Sequence, residues 1–114
     1  MSRRLLNQII NESQSSSGTW SYTFMFEVRN ILKNLRQNDK VKVFTGLFEF
    51  ILHKEITELQ KFKLSQLLCY IYNSYPEIFK ETLTTFRPLI EIRYQAAQQD
   101  SELSKASYNL LKNL

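Results

Sequence analysis

The chain has 114 residues, with 43% hydrophobic, 13% aromatic and 23% charged positions and a formal net charge of +4. That length accommodates one hydrophobic core. Two glycines, two prolines, one cysteine and one histidine argue against a turn-rich sheet protein or a glycine-cradled phosphate loop, and they exclude a disulfide framework and a Cys/His zinc site.

Residues 3–12 read as a short helix: Leu5, Leu6, Ile9 and Ile10 recur at helical spacing, with Arg3 and Arg4 on the other side. Ser13 to Gly18 is small and polar, a flexible loop. Residues 20–37 form the clearest helix, with Trp20, Phe24, Val28, Ile31, Leu32 and Leu35 in one broad apolar stripe. Thr19 is placed to cap it, Asn38 and Asp39 break it, and Asp39 can cap the next helix. Residues 40–54 place Val41, Phe44, Leu47, Phe48, Ile51 and Leu52 on one face. Gly46 inside that helix costs about 1 kcal/mol relative to Ala and marks a close helix–helix approach.

Thr57 opens the fourth helix, with Gln60 three residues later at capping-box spacing. Leu64, Leu67, Leu68, Ile71, Tyr72 and Tyr75 share its face. Pro76 and Glu77 suit the first turn of a fifth helix lined by Ile78, Phe79, Leu83 and Phe86. Pro88 stops or bends the chain, and Leu89, Ile90, Arg93 and Ala97 continue a helical pattern to about Gln98. Asp100 or Ser101 caps a last helix, with Leu103, Ala106, Leu110, Leu111 and Leu114 inward. The expectation is one all-α domain over 1–114: an N-terminal helix (1–12), the serine loop (13–18) and a helical array (19–114) of short helices, six or seven in all.

A short repeat runs through this pattern. Asn30-Ile31-Leu32-Lys33-Asn34-Leu35 matches Asn109-Leu110-Leu111-Lys112-Asn113-Leu114 at an offset of 79 residues, and Leu68-Cys69-Tyr70-Ile71-Tyr72-Asn73 lies near the midpoint. A period near 40 with two helices per unit resembles HEAT-type repeats, although the regular inter-repeat Asp and Arg positions are missing. The other reading of the same pattern is an irregular helical bundle. The resemblance implies a stacked array that offers one concave face to a protein partner and carries no catalytic residues. Size, a start at Met1 and the lack of catalytic features also make the chain similar to small bacterial immunity proteins, which bind and block a toxin domain.

Candidate chemistry is thin. His53 falls on the side of its helix away from Phe44 and Phe48 and reads as solvated. Cys69 lies in an apolar run and reads as a small buried hydrophobe. A Cys69–His53 pair would need the fold to bring the two together. Glu55 and Glu58, Glu77 and Glu81, and Asp100 and Glu102 cluster at helix starts, where carboxylates offset the macrodipole. No catalytic, metal-binding or cofactor-binding set emerges, and the chain reads as non-enzymatic.

The constellation that stands out is Tyr22, Phe26, Arg29 and Lys33, at spacings i, i+4, i+7 and i+11 on the face opposite the Trp20–Leu35 stripe. Arg36, Lys40 and Lys42 follow. The charge is also graded: residues 1–36 hold five basic and two acidic side chains, residues 75–114 five of each. Aromatic and basic groups on one exposed face suit a protein interface. They also suit a nucleic-acid patch, where rings stack on bases and cations meet phosphates. In a third arrangement, Tyr22 and Phe26 pack beneath the N-terminal helix and the cations are merely solvated. Tyr70, off the main stripe of its helix, is the best further exposed candidate. The expected partner is another protein, a toxin domain being one concrete form, with a small basic nucleic-acid binder as the alternative. The lone cysteine fits the cytoplasm, and no apolar run is long enough for a membrane span.

Overall fold

The computed structural model describes residues 2–15 and 17–114, which form six α-helices and no strand. They are α1 (Ser2–Ser13), α2 (Tyr22–Asn34), α3 (Gln37–His53), α4 (Glu58–Ser74), α5 (Pro76–Ala96) and α6 (Glu102–Lys112), with a single 3-10 turn, Ala97–Gln99, before α6. The all-α expectation holds.

Several boundaries differ from it, each for a local reason. Ser21, not Thr19, is the N-cap of α2, its hydroxyl accepting from the Phe24 N–H, so Trp20 precedes the helix. The break after α2 falls at Leu35 and Arg36, both extended, and not at Asn38 and Asp39. Asp39 lies instead in the first turn of α3, where a carboxylate meets the positive end of the dipole. Ser13 closes α1 as a buried residue and is no part of the loop; Ser16 lies outside the described residues. Pro88 does not end α5, which runs on to Ala96. Ser101, not Asp100, caps α6 by accepting from the Ser104 N–H.

Apart from α2, the helices pack in two layers. In one, α1, α3 and α5 lie side by side; in the other, α4 packs on α6, and α3–α4 and α5–α6 contacts join the layers. The least extent of the molecule is 20 Å, the thickness of two helices at about 10 Å each. The repeat noted above maps onto the even-numbered helices: Leu32, Ile71 and Leu111 are all fully buried on α2, α4 and α6.

Each seam follows from its residues. Between α3 and α5 the core is aromatic. Phe44 stacks on Phe79 at 4.3 Å and Phe48 on Phe86 at 4.9 Å, while Phe44 and Phe48 meet edge-on at 5.0 Å. Such pairs contribute about 0.5–1.5 kcal/mol each beyond their area. The α1–α3 contact runs over Gly46, as its position suggested: a Cβ there would lie 2.5 Å from Leu6 Cδ2. The α4–α6 contact uses small residues. Ser65 and Cys69 share one face of α4, Cys69 reaching the Leu110 carbonyl, and Ser104 and Ser107 are buried on α6. Here the expected inward set on α6 was too apolar, since Ala106 and Leu110 are only half-buried. Thr57 caps α4 as expected, but Gln60 does not complete the box; its side-chain amide donates to Ser13 Oγ at 3.0 Å, tying α4 to α1.

Candidate interaction groove

Helix α2 differs from the rest. Among the described residues its backbone comes close to the other helices at few points at most, and it is held by side chains. Val28 and Leu32 are buried, and Phe24, Met25 and Ile31 pack half-buried against the core. Its start is pinned by Trp20, which stacks on Phe24 at 5.6 Å and donates its indole N–H to the Lys63 carbonyl at 2.7 Å. The Lys63 side chain passes under this ring. Lys63 is only 1% exposed, and its ammonium lies 5.0 Å from the indole centroid. A lysine so buried, with no carboxylate partner among the described residues, depends on that ring face for compensation.

Shallow gaps open along α2. One, of about 210 Å³, is lined by Tyr22, Met25, Phe26 and Arg29 of α2 and by Tyr70 of α4. The four α2 residues are spaced i, i+3, i+4 and i+7, one continuous face of the helix. Tyr22 is 88% exposed and Phe26 56% exposed. They are therefore not packed beneath α1, which lies on α3 and α4. Among the described residues the other strongly exposed large apolar side chain is Ile92 on α5, isolated in the way surface apolar residues normally are.

The structure thus brings together Tyr22, Phe26, Arg29 and Tyr70 from the sequence-predicted set. It does not bring the remaining four into the groove. Lys33 is exposed one turn beyond Arg29, Arg36 is exposed at the α2–α3 joint, and Lys42 is exposed on α3. Lys40 turns onto the Tyr75 ring, 4.8 Å from its centroid, at the α4–α5 joint. Tyr70 is half-buried, less exposed than its position off the stripe suggested. Met25 is the groove residue that the sequence reading missed. Its signal was present, three residues after Tyr22, but an apolar residue next to a core stripe is ordinarily assigned to the core.

The remaining chemical candidates stay apart. His53 is exposed at the end of α3. Cys69 is half-buried rather than fully buried, and its thiol donates weakly to the Leu110 carbonyl at 3.7 Å on α6. Burial pushes that thiol up from its ordinary 9.0 to about 11, away from a reactive thiolate. Glu58, Glu77 and Glu102 occupy first turns of helices, as a dipole role requires. Among the described residues no three His, Cys, Asp or Glu side chains gather into a metal-binding group, and no helix is long and apolar enough to cross a membrane. Compared with known proteins, the chain matches no family model, no curated protein and no solved structure.

Proposed function

We propose that the protein is a non-enzymatic binding module that engages another protein through the α2 groove. The observation that carries this reading is the outward presentation of Tyr22 and Phe26 beside a mostly apolar gap that Met25 and Tyr70 floor. Leaving these two rings exposed to water forgoes about 1–2 kcal/mol of burial per ring, which a partner can recover. Arg29 at the edge, with Lys33 and Arg36 beyond, specifies the partner's chemistry: an apolar side chain for the groove, flanked by carboxylates for the cations. A toxin domain with such an acidic, apolar-centred patch is the concrete form proposed, which makes the chain an immunity-type inhibitor. The packing of α1, α3 and α5 over α4 and α6 suits a scaffold of HEAT-like kind, in which one surface is given over to binding.

The test uses the product of the neighbouring open reading frame as partner, with complex formation measured by calorimetry. Tyr22→Ala with Phe26→Ala should weaken the complex by about 2–4 kcal/mol, a loss of at least thirtyfold. Arg29→Glu with Lys33→Glu should weaken it and reduce its salt dependence. All four side chains are exposed, so the helical circular dichroism should not change. Unchanged affinity in both double variants would remove this face from consideration. Tight, steeply salt-dependent binding to a DNA or RNA probe that the charge reversals abolish would favour the nucleic-acid alternative.

A further inference from the structure

A second concavity lies away from the α2 groove, where four helices meet. α3 ends at His53, and the chain turns through Lys54, Glu55 and Ile56 before Thr57 caps α4. This turn and the end of α3, with Lys61 of α4, Arg93 of α5 and Tyr108 of α6, line an open cleft of about 580 Å³. Its floor includes the buried Ile51 and Tyr108. Lys54 from the turn, Lys61 from α4 and Arg93 from α5 all line it, beside His53, and Glu55 is the single carboxylate in the lining.

Three cations from three separate elements line this space, and among the described residues none is in an ion pair. Among the described residues the ion pairs are Lys105 with Glu102 and Lys112 with Glu91, both elsewhere. Helix dipoles account for part of the cluster. Lys54 follows the C-terminus of α3 and Arg93 sits in the last turn of α5, where cations are favoured. They do not account for Lys61, which closes the first turn of α4 behind Glu58, near the positive end of the dipole. Lys61 is nonetheless held: it is half-buried, with its ammonium 5.0 Å from the centroid of the Tyr108 ring. Three cations lining one cleft raise its positive potential and favour a bound anion there. Three cations and one carboxylate leave an excess of +2, matching the charge of about −2 on a phosphate monoester. The volume is several times that of a phosphate group and within the usual range for small-molecule sites. The walls are mainly polar, so the remainder of the ligand is polar as well.

We propose that the cleft between α3, α4, α5 and α6 binds a phosphate monoester of a polar, hydroxyl-rich small molecule, with Lys61 and Arg93 as its principal phosphate contacts. Titrations of the full chain with glucose 6-phosphate, inorganic phosphate and glucose test this, followed through backbone amide NMR shifts at about 0.15 M salt. The sugar phosphate should give saturable shifts centred on residues 51–61 and on Arg93. It should bind more tightly than inorganic phosphate, and glucose should give no shifts. Lys61→Met and Arg93→Met should each weaken binding about tenfold or more, as loss of a charged contact does, while Lys33→Met on α2 should leave it unchanged. Arg93 is exposed, so its variant stays informative if loss of Lys61 disturbs Tyr108. The proposal is overturned by the lack of saturable shifts up to about 20 mM, the weak limit of useful affinity. It is equally overturned by equal affinity for phosphate and ester, by full affinity in Arg93→Met, or by equal weakening in Lys33→Met, which would indicate diffuse net charge.

Discussion

Gly46 is where the α1–α3 contact can be tested with a definite sign. Alanine is favoured over glycine in a helix by about 1 kcal/mol, so Gly46→Ala in an open helix would stabilise by that amount. Here the new Cβ would lie 2.5 Å from Leu6 Cδ2 and 3.3 Å from Cδ1, while Leu6 Cγ, at 3.5 Å, is at ordinary contact. Only the tip of the leucine must move. Leu6 is half-buried, so the tip has somewhere to go, but leaving forfeits about 1–2 kcal/mol of apolar burial. The two effects nearly cancel, and Gly46→Ala alone should change stability by less than about 1 kcal/mol. In a Leu6→Ala background the obstruction is gone, and the same substitution should stabilise by the full ~1 kcal/mol. The expected coupling between the two sites is therefore about 1–2 kcal/mol. Urea unfolding of the four proteins, followed by circular dichroism with a common m-value, measures it. Additivity within about 0.3 kcal/mol would refute the seating of α1 on Gly46.

Other parts of the structure make separate predictions. Trp20→Ala removes the ring over Lys63 and the N–H bond to its carbonyl, and should cost about 2–4 kcal/mol. In native-state hydrogen exchange, α2 amides should lose protection while those of α3 and α4 keep theirs; uniform loss would contradict the pinning role. Pro88 is exposed within α5 and leaves the Thr84 carbonyl without a helical N–H donor, so Pro88→Ala should stabilise by about 2 kcal/mol. A loss of stability in denaturant titration would show that α5 needs the proline. Because the Cys69 thiol is raised from 9.0 to about 11, its alkylation at pH 8 should run about 100-fold slower than that of a free cysteine. The folded state holds this proton where the unfolded chain releases it. Its contribution to stability is thus complete below pH 9 and lost as pH rises toward 11. Alkylation at the free-cysteine rate would refute the burial.

Much of the architecture was legible in the residues because its causes are local. The apolar stripes of α2 and α3 recur within a turn or two, Thr57 finds its capping partner three residues away, and Pro76 needs only its own missing N–H to begin α5. Where two local signals competed, the reading slipped. Thr19 and Ser21 are both able caps, and the choice went to Ser21 because Trp20 is drawn to Lys63, 43 residues away. The aromatic face of α2 was equally readable, since Tyr22, Phe26 and Arg29 share one helix face. Its cationic extension was not, because Lys40 is captured by Tyr75 from a different helix.

By itself the sequence determined that the chain is helical, where most helices begin, and which side of each is apolar, since periodicity and capping act within a few residues. The tertiary structure alone decided which polar groups are buried and which charges meet. Lys63 lies beneath Trp20, Ser104 and Ser107 are buried on α6, Tyr70 joins Tyr22, and Lys54, Lys61 and Arg93 face one another across a cleft. Those outcomes depend on which helix surfaces are set side by side. That choice is made by the fit of whole layers, through the Phe44–Phe79 stack and the Gly46 contact, and no single helix carries it.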